Sequence, residues 1–265
     1  MNNLLMILVL ITFFQVPSTV LGQVSGQVVD VRSPAQLVSR GVAKNIARNS
    51  KVSSGDLIRT GASGQVQLLF LDETKIVVGP NSTLRIDETL FRPNGKARKF
   101  ATSALGGTFR FMSGNSPMRV YQIATPTATM GIRGTEFDFT VTTVRATDLL
   151  VFIGSVQLCN ANRRCVAVPS GCQLVAVQGD GSFSQPQTVA QKRQMLEARF
   201  PLLRAQSNLQ PQFRTSTEGC DRVTLFNLPG APIGGGEDRG NQRGGGSPAE
   251  GPSDPGGGGG GNPAE

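Results

Sequence analysis

The chain of 265 residues contains no histidine and no tryptophan, one tyrosine and four cysteines, and it carries a formal net charge of +8. Without histidine, Ser-His and Cys-His nucleophilic catalysis and the usual neutral-pH base are excluded, and with no C-x-x-C pair the common zinc sites go with them. The length accommodates one β domain of ordinary size plus extensions.

The charge is unevenly placed. From Gly234 onward five acids (Glu237, Asp238, Glu250, Asp254, Glu265) face two arginines (Arg239, Arg243), giving −3, so the preceding body is +11. A basic body suits anionic partners such as phospholipid headgroups, cell-wall polymers or nucleic acid. The basic residues are dispersed, however: Arg40, Lys44 and Arg48, then Arg92, Lys96, Arg98 and Lys99, then Arg163-Arg164. That dispersal reads as solvated surface, and the near absence of stacking aromatics argues against nucleic acid.

Residues 4–14 are apolar apart from Thr12, and Pro17-Ser18 lead to Val20-Leu21-Gly22. This outlines a secretory signal peptide over 1–22, cleaved after Gly22, although Met1-Asn2-Asn3 lack the usual basic residue. The run is short for a membrane span, and no later stretch is longer. An uncleaved anchor is the alternative.

Residues 24–32 alternate as a first strand, and Leu37-Val38 continue the sheet beyond Pro34. Residues 42–53 are ambiguous between a short helical face and extended chain. Gly61-Ala62-Ser63-Gly64 precedes a strand over 66–70, and the break Asp72-Glu73-Thr74 leads into a second over 75–78. Leu84 and Ile86 mark a half-buried strand, 92–99 a loop, and Phe109 and Phe111 another strand after Gly106-Gly107.

The central stretch is 125–141. Thr125-Pro126 forces extended chain, and Gly131 and Gly134 bracket Ile132-Arg133 in a predicted G-x-x-G turn. Phe137, Phe139 and Val141 then alternate with Glu136, Asp138 and Thr140, the period of a half-buried strand. A polar break over 145–148 leads into a strand over 149–153. The two G-x-x-G units thus predict a duplicated β-coil stacked in layers. About a dozen strands fall before Val177 with no helical period, so the fold class is all-β, a sandwich or solenoid-like stack.

Cys159 and Cys165 flank a loop between two strand-like runs, so a disulfide across the base of a hairpin is expected. Cys172 then pairs with Cys220, tying a C-terminal extension to the domain. In an exported chain disulfides are the default. Residues 186–199 contain helix formers with Val189, Met195, Leu196 and Phe200 as apolar contacts, and Pro201 stops or kinks the helix. It either packs on the flank of the β domain or docks a partner. Residues 229–265 are Gly, Pro, Ser and acids, a composition of disorder. The domain organisation expected is therefore 1–22 signal peptide, 23–178 β domain, 179–228 partly helical extension and 229–265 tail.

The run 54–61 (S-G-D-L-I-R-T-G), the strand 66–70, Asp72-Glu73-Thr74, Leu84-Arg85-Ile86-Asp87, Ala124-Thr125-Pro126 and Gly131-Ile132-Arg133-Gly134-Thr135-Glu136-Phe137 resemble a FecR-type domain, over roughly 23–177. The resemblance implies an all-β periplasmic module; its best-known members relay a signal from an outer-membrane receptor to a sigma-factor regulator. Those members place a cytoplasmic segment and a membrane span before the domain. Here it follows the export signal directly, which favours a periplasmic or secreted binding or scaffold module over direct sigma-factor control. The implied partner is an envelope protein or anionic polymer, and no cofactor is implied.

Arg133 and Glu136 are the candidate binding residues, with a structural Arg133–Glu136 pair as the simpler alternative. For catalysis, Glu136 and Asp138 share one strand face and are the only carboxylate pair to consider for glycoside-type chemistry. Solvent-facing strand residues explain them more simply, and the chain reads as a non-enzyme.

Overall fold

The structure is a computed structural model that describes residues 23–142, 146–226 and 228. The expected signal peptide, the residue Arg145 of the second polar break and the tail from 229 on lie outside these residues. Among the described residues fifteen strands join one hydrogen-bonded sheet. The N-terminal portion supplies β1 (Val24–Arg32), β2 (Ala35–Ser39), β3 (Val42–Asn45), β4 (Lys51–Ser53) and β5 (Leu57–Thr60), so residues 42–53 are extended rather than helical. A hairpin of β6 (Gln65–Phe70) and β7 (Lys75–Val78) follows, then β8 (Thr83–Phe91) and β9 (Ala97–Met112). The remaining strands are β10 (Tyr121–Ala124), β11 (Ala128–Thr142), β12 (Ala146–Asn160), β13 (Cys165–Pro169), β14 (Gln173–Gln178) and β15 (Phe183–Ser184).

Three strands are long, β9 with 16 residues and β11 and β12 with 15 each. Each bends at glycine and so serves two sets of neighbours. The first half of β9 pairs with β8 and, in parallel, with β10; its second half pairs with β7 and β11. The change falls at Gly107, whose φ is +100° and where a Cβ would stand 2.2 Å from the Ser82 hydroxyl. Likewise β11 shifts register between Arg133 and Glu136, opposite Gly154 of β12. Gly134 and Gly154 both have positive φ, and a Cβ on Gly154 would meet the Gly134 carbonyl oxygen at 2.1 Å. Bulges bend a strand while keeping it in the sheet.

This corrects the expected G-x-x-G turn. Gly131 to Gly134 lie inside β11: Gly131 pairs with β10 on one side, Gly131 to Arg133 pair with β12 on the other, and Gly134 opens the bulge. The two glycine-led units are both hairpins, yet they flank β9 from opposite sides: β7 pairs with it in the first, β11 in the second. They are therefore not equivalent coils of a stack.

The inward face carries the core. Phe137 lies directly opposite Phe111, and Phe139 opposite Phe109, with ring centroids 5.4 and 4.9 Å apart in stacked pairs. Phe100, Tyr121 and Phe70 extend this cluster edge-on or tilted. Such cross-strand aromatic pairs contribute about 0.5–1.5 kcal/mol each beyond their burial.

The outward face of the β7, β9, β11, β12 and β14 ladder is covered as well, by the chain from Gln185 onward. This strap comprises α1 (Val189–Arg199), α2 (Pro201–Arg204) and two 3-10 turns. The Thr188 hydroxyl caps α1 by accepting from the Gln191 amide at 3.2 Å, and Pro201 opens α2 at its first position, where its missing N–H costs nothing. Phe200 packs on Leu150, Phe152 and Leu174, with Met195 and Leu196 beside it. Leu202, Leu209 and Phe213 pack on Val77. Val189, an expected contact, is 44% exposed. The buried residue of α1 is instead Lys192, whose ammonium donates to the carbonyls of Gly219 and Arg222; burial lowers its pKa. Cys172 and Cys220 are joined, as are Cys159 and Cys165 at the base of the β12–β13 hairpin.

Candidate interaction groove

Two outward faces exist on this sheet, and they differ in what covers them. Under the strap, polar strand residues are buried in ion pairs. Asp138 is fully buried, and its two carboxylate oxygens accept from Arg110 Nε and Nη2 at 2.6 and 2.8 Å. Arg110 Nη1 donates to Gln206 Oε1 at 2.8 Å and to the Phe213 carbonyl at 3.2 Å, and the guanidinium sits 5.5 Å from the Phe152 ring centroid. Asp148 accepts twice from Arg199 Nη1, at 2.7 and 3.0 Å. Burial pushes both carboxyls above the usual range, against the opposing pull of the arginines. Asp138 is thus not the solvent-facing residue that strand alternation predicts. The alternation itself holds, but the strap closes over that face.

Glu136 lies at the margin of the strap, half-buried, and accepts from the Thr215 hydroxyl at 2.9 Å. It is not paired with Arg133, because the bulge at 134–135 separates them. The carboxylates offered as a catalytic pair are therefore both engaged, one by a guanidinium and one by a hydroxyl.

The other half of the outward face is open. Gln122 of β10, Thr129 and Arg133 of β11, Gln157 of β12 and Ala167 of β13 are exposed. Across it runs a groove of about 760 Å³, lined chiefly by Met118, Arg119, Tyr121, Gly131, Arg133 and Gln157. One wall is the 3-10 turn Met118–Val120, and the floor is β11 and β12. Arg119 and Arg133 are both exposed, and neither guanidinium has a partner among the described residues. No acid lines the groove. Met118 is 55% exposed, and its methyl lies 3.8 Å from where a Cβ on Gly134 would stand.

The wall is anchored from behind. The hydroxyls of Tyr121 and Ser116 each donate to Asp72 Oδ2 at 2.8 Å, and Ser116 Oγ accepts from the Ala97 amide at 2.6 Å. Asp72 also accepts from the Thr74 amide at 3.1 Å, closing the β6–β7 turn. Burial raises the Tyr121 phenol above its ordinary pKa. The sequence offers Asp72 only as a turn residue and Tyr121 only as the single tyrosine; nothing in their spacing announces a shared network. Met118, Arg119 and Gln157 likewise carry no signal, since they meet only through the pairing of β10, β11 and β12. A second cleft of about 690 Å³ lies at the β2–β3 hairpin, by Arg40, Lys44 and Asp56. Asp56 is spent there, accepting from the Ser53 amide at 2.8 Å.

Residues 56–157 match the model of the FecR protein family. That stretch is similar to the FecR family and is less than half of the chain. The match begins at the head of β5 and ends on the groove floor at Gln157, narrower than the resemblance traced over 23–177; β1 to β4, β13 to β15 and the strap lie outside it. Two crystal structures of a "putative anti-sigma factor" from Parabacteroides distasonis ATCC 8503 are similar at TM-scores of 0.41 and 0.40, each at 14% identity. The matched region covers 53% of this chain and 64% and 63% of theirs, so the chain spans less than two thirds of those proteins. No curated protein matches it. The residues lining the groove, 117–133 and 157, thus all fall within the matched region, while the strap that covers the other face is outside it.

Proposed function

We propose that this chain is an exported, non-enzymatic interaction module of the bacterial envelope, and that its FecR-like domain engages a partner through the groove between Met118-Arg119 and Gly131-Arg133. The observation that carries this is the contrast between the two outward faces: under the strap Arg110 and Arg199 are matched to carboxylates, whereas Arg119 and Arg133 face open space unmatched. Unpaired guanidiniums beside an exposed methionine are a binding surface by chemistry. Support for export comes from the apolar leader and from two disulfides, which persist in oxidising compartments. Among the described residues no helix is long and apolar enough to cross a membrane. Support for a non-enzymatic role comes from the absence of histidine and from the engagement of Asp138 and Glu136 by Arg110 and Thr215.

A photo-crosslinking side chain at Gln157, with a control at Arg98 on β9, tests this in the native host. The expected result is an envelope protein captured from 157 alone, on a chain whose mass begins at Gln23 with no thiol alkylated before reduction. Retention of Met1 with inner-membrane location would favour an anchored signalling regulator, and a cytoplasmic chain with free thiols would overturn the proposal.

A further inference from the structure

We infer that the groove receives an extended acidic segment of a protein partner, laid over Gly131 with carboxylates on Arg119 and Arg133; this rests on the interaction role proposed for the same site. Gly131 points to close approach. Its backbone is ordinary, and a Cβ there would meet only the Gln157 side chain, at 3.8 and 3.9 Å. Gly107 and Gly154 are required by positive φ and by clashes near 2 Å, but nothing in the fold requires glycine at 131. Glycine inside a strand is destabilising relative to alanine, and it often marks a place where a ligand or another backbone comes near. Any side chain at 131 would stand in the groove.

The spacing suits an extended chain. Gly131 and Arg133 are two residues apart on one face of β11, roughly 7 Å, the repeat of alternate side chains in an extended peptide. A carboxylate over Arg133 would therefore place the next side chain of that face over Gly131, where the missing side chain leaves room for it, with Arg119 reaching from the opposite wall. Met118 supplies adaptable apolar contact between the two charges. Gly131 is already paired on both sides, with Gln122 of β10 and Gln157 of β12, so recognition over it falls to side chains rather than to an added strand. Sugars are a poor match, because the one aromatic ring lining the groove, Tyr121, is buried with its hydroxyl held by Asp72. The wall is held by the Asp72 network before any ligand arrives, which lowers the ordering cost of binding.

The test uses the full oxidised chain and a fluorescein-labelled decapeptide alternating Glu with Thr and Val, followed by anisotropy. Its Gln analogue, inorganic phosphate and polygalacturonate serve as competitors. The Glu peptide is expected to bind at least tenfold more tightly than the Gln analogue, with Arg133→Gln or Arg119→Gln each weakening it about tenfold. Gly131→Leu should abolish binding without lowering Tm, and Arg98→Gln should change nothing. Equal binding by Arg133→Gln, or competition by polygalacturonate matching that of the Glu peptide, overturns the inference. So does failure of the peptide to bind a chain that still crosslinks an envelope protein from 157; that result leaves the interaction role standing and removes only the acidic-segment chemistry. If Gly131→Leu unfolds, the two exposed arginine variants decide alone.

Discussion

Arg110 of β9 and Asp138 of β11 lie directly opposite each other in the sheet and are joined by two parallel hydrogen bonds of 2.6 and 2.8 Å with no solvent exposure at either side chain. The remaining Arg110 nitrogen is used by Gln206 and Phe213 of the strap. The pair thereby joins the sheet to its cover. Removing one partner leaves a buried charge unmatched, which costs about 3–5 kcal/mol. Asp138→Ala is expected to lose that much in urea unfolding, and the double variant Arg110→Met with Asp138→Leu to recover most of it.

The glycines predict opposite signs. Gly154→Ala places a Cβ 2.1 Å from the Gly134 carbonyl oxygen at φ +76°, so a loss at or above the upper end of about 1–3 kcal/mol is expected. Gly131→Ala has no such contact and should stabilise the chain by about 0.5–1 kcal/mol. Thermal unfolding of the two variants checks both directions.

The two disulfides close loops of different size, with sequence separations of 6 and 48. In the chain-entropy account these contribute about 2 and about 4 kcal/mol respectively. Cys220→Ser is therefore expected to cost about 2 kcal/mol more than Cys165→Ser. It should also raise hydrogen exchange in β12 and β14, the strands under Phe200, where Cys165→Ser should not.

Burial raises the Asp148 carboxyl above its unfolded value of 3.8. Between about 4 and the raised folded value the native chain holds a proton that the unfolded chain has released. The contribution is complete below about 4 and is lost as pH rises through that window. Asp148→Asn has no such proton. The urea midpoint of the parent relative to Asp148→Asn should therefore fall as pH rises from about 4, then level off.

Much of the β architecture was legible because its signal is local. Alternation aimed Phe137, Phe139 and Val141 at one core, and there the two phenylalanines meet Phe111 and Phe109 across the strands. The same alternation assigned Asp138 and Thr140 to solvent, because a period-2 pattern separates two faces without saying what covers either. The cover is a strap some fifty or more residues downstream, and the polar residues beneath it are tolerated only because its backbone and side chains complete their hydrogen bonds.

By itself the sequence determined the strand periodicity, the glycines that punctuate it, the even set of cysteines and the absence of histidine chemistry, all of which are properties of residue type and near-neighbour order. Only the tertiary structure decided that Gly131 to Gly134 run through a strand rather than round a turn, that Arg110 and Asp138 meet in the interior, and that Arg119 and Arg133 share one open groove. Those outcomes depend on strand register and on long-range closure. Shifting a strand's pairing by one residue exchanges its two faces, and no local pattern in this chain sets that shift for β9, β11 and β12 together.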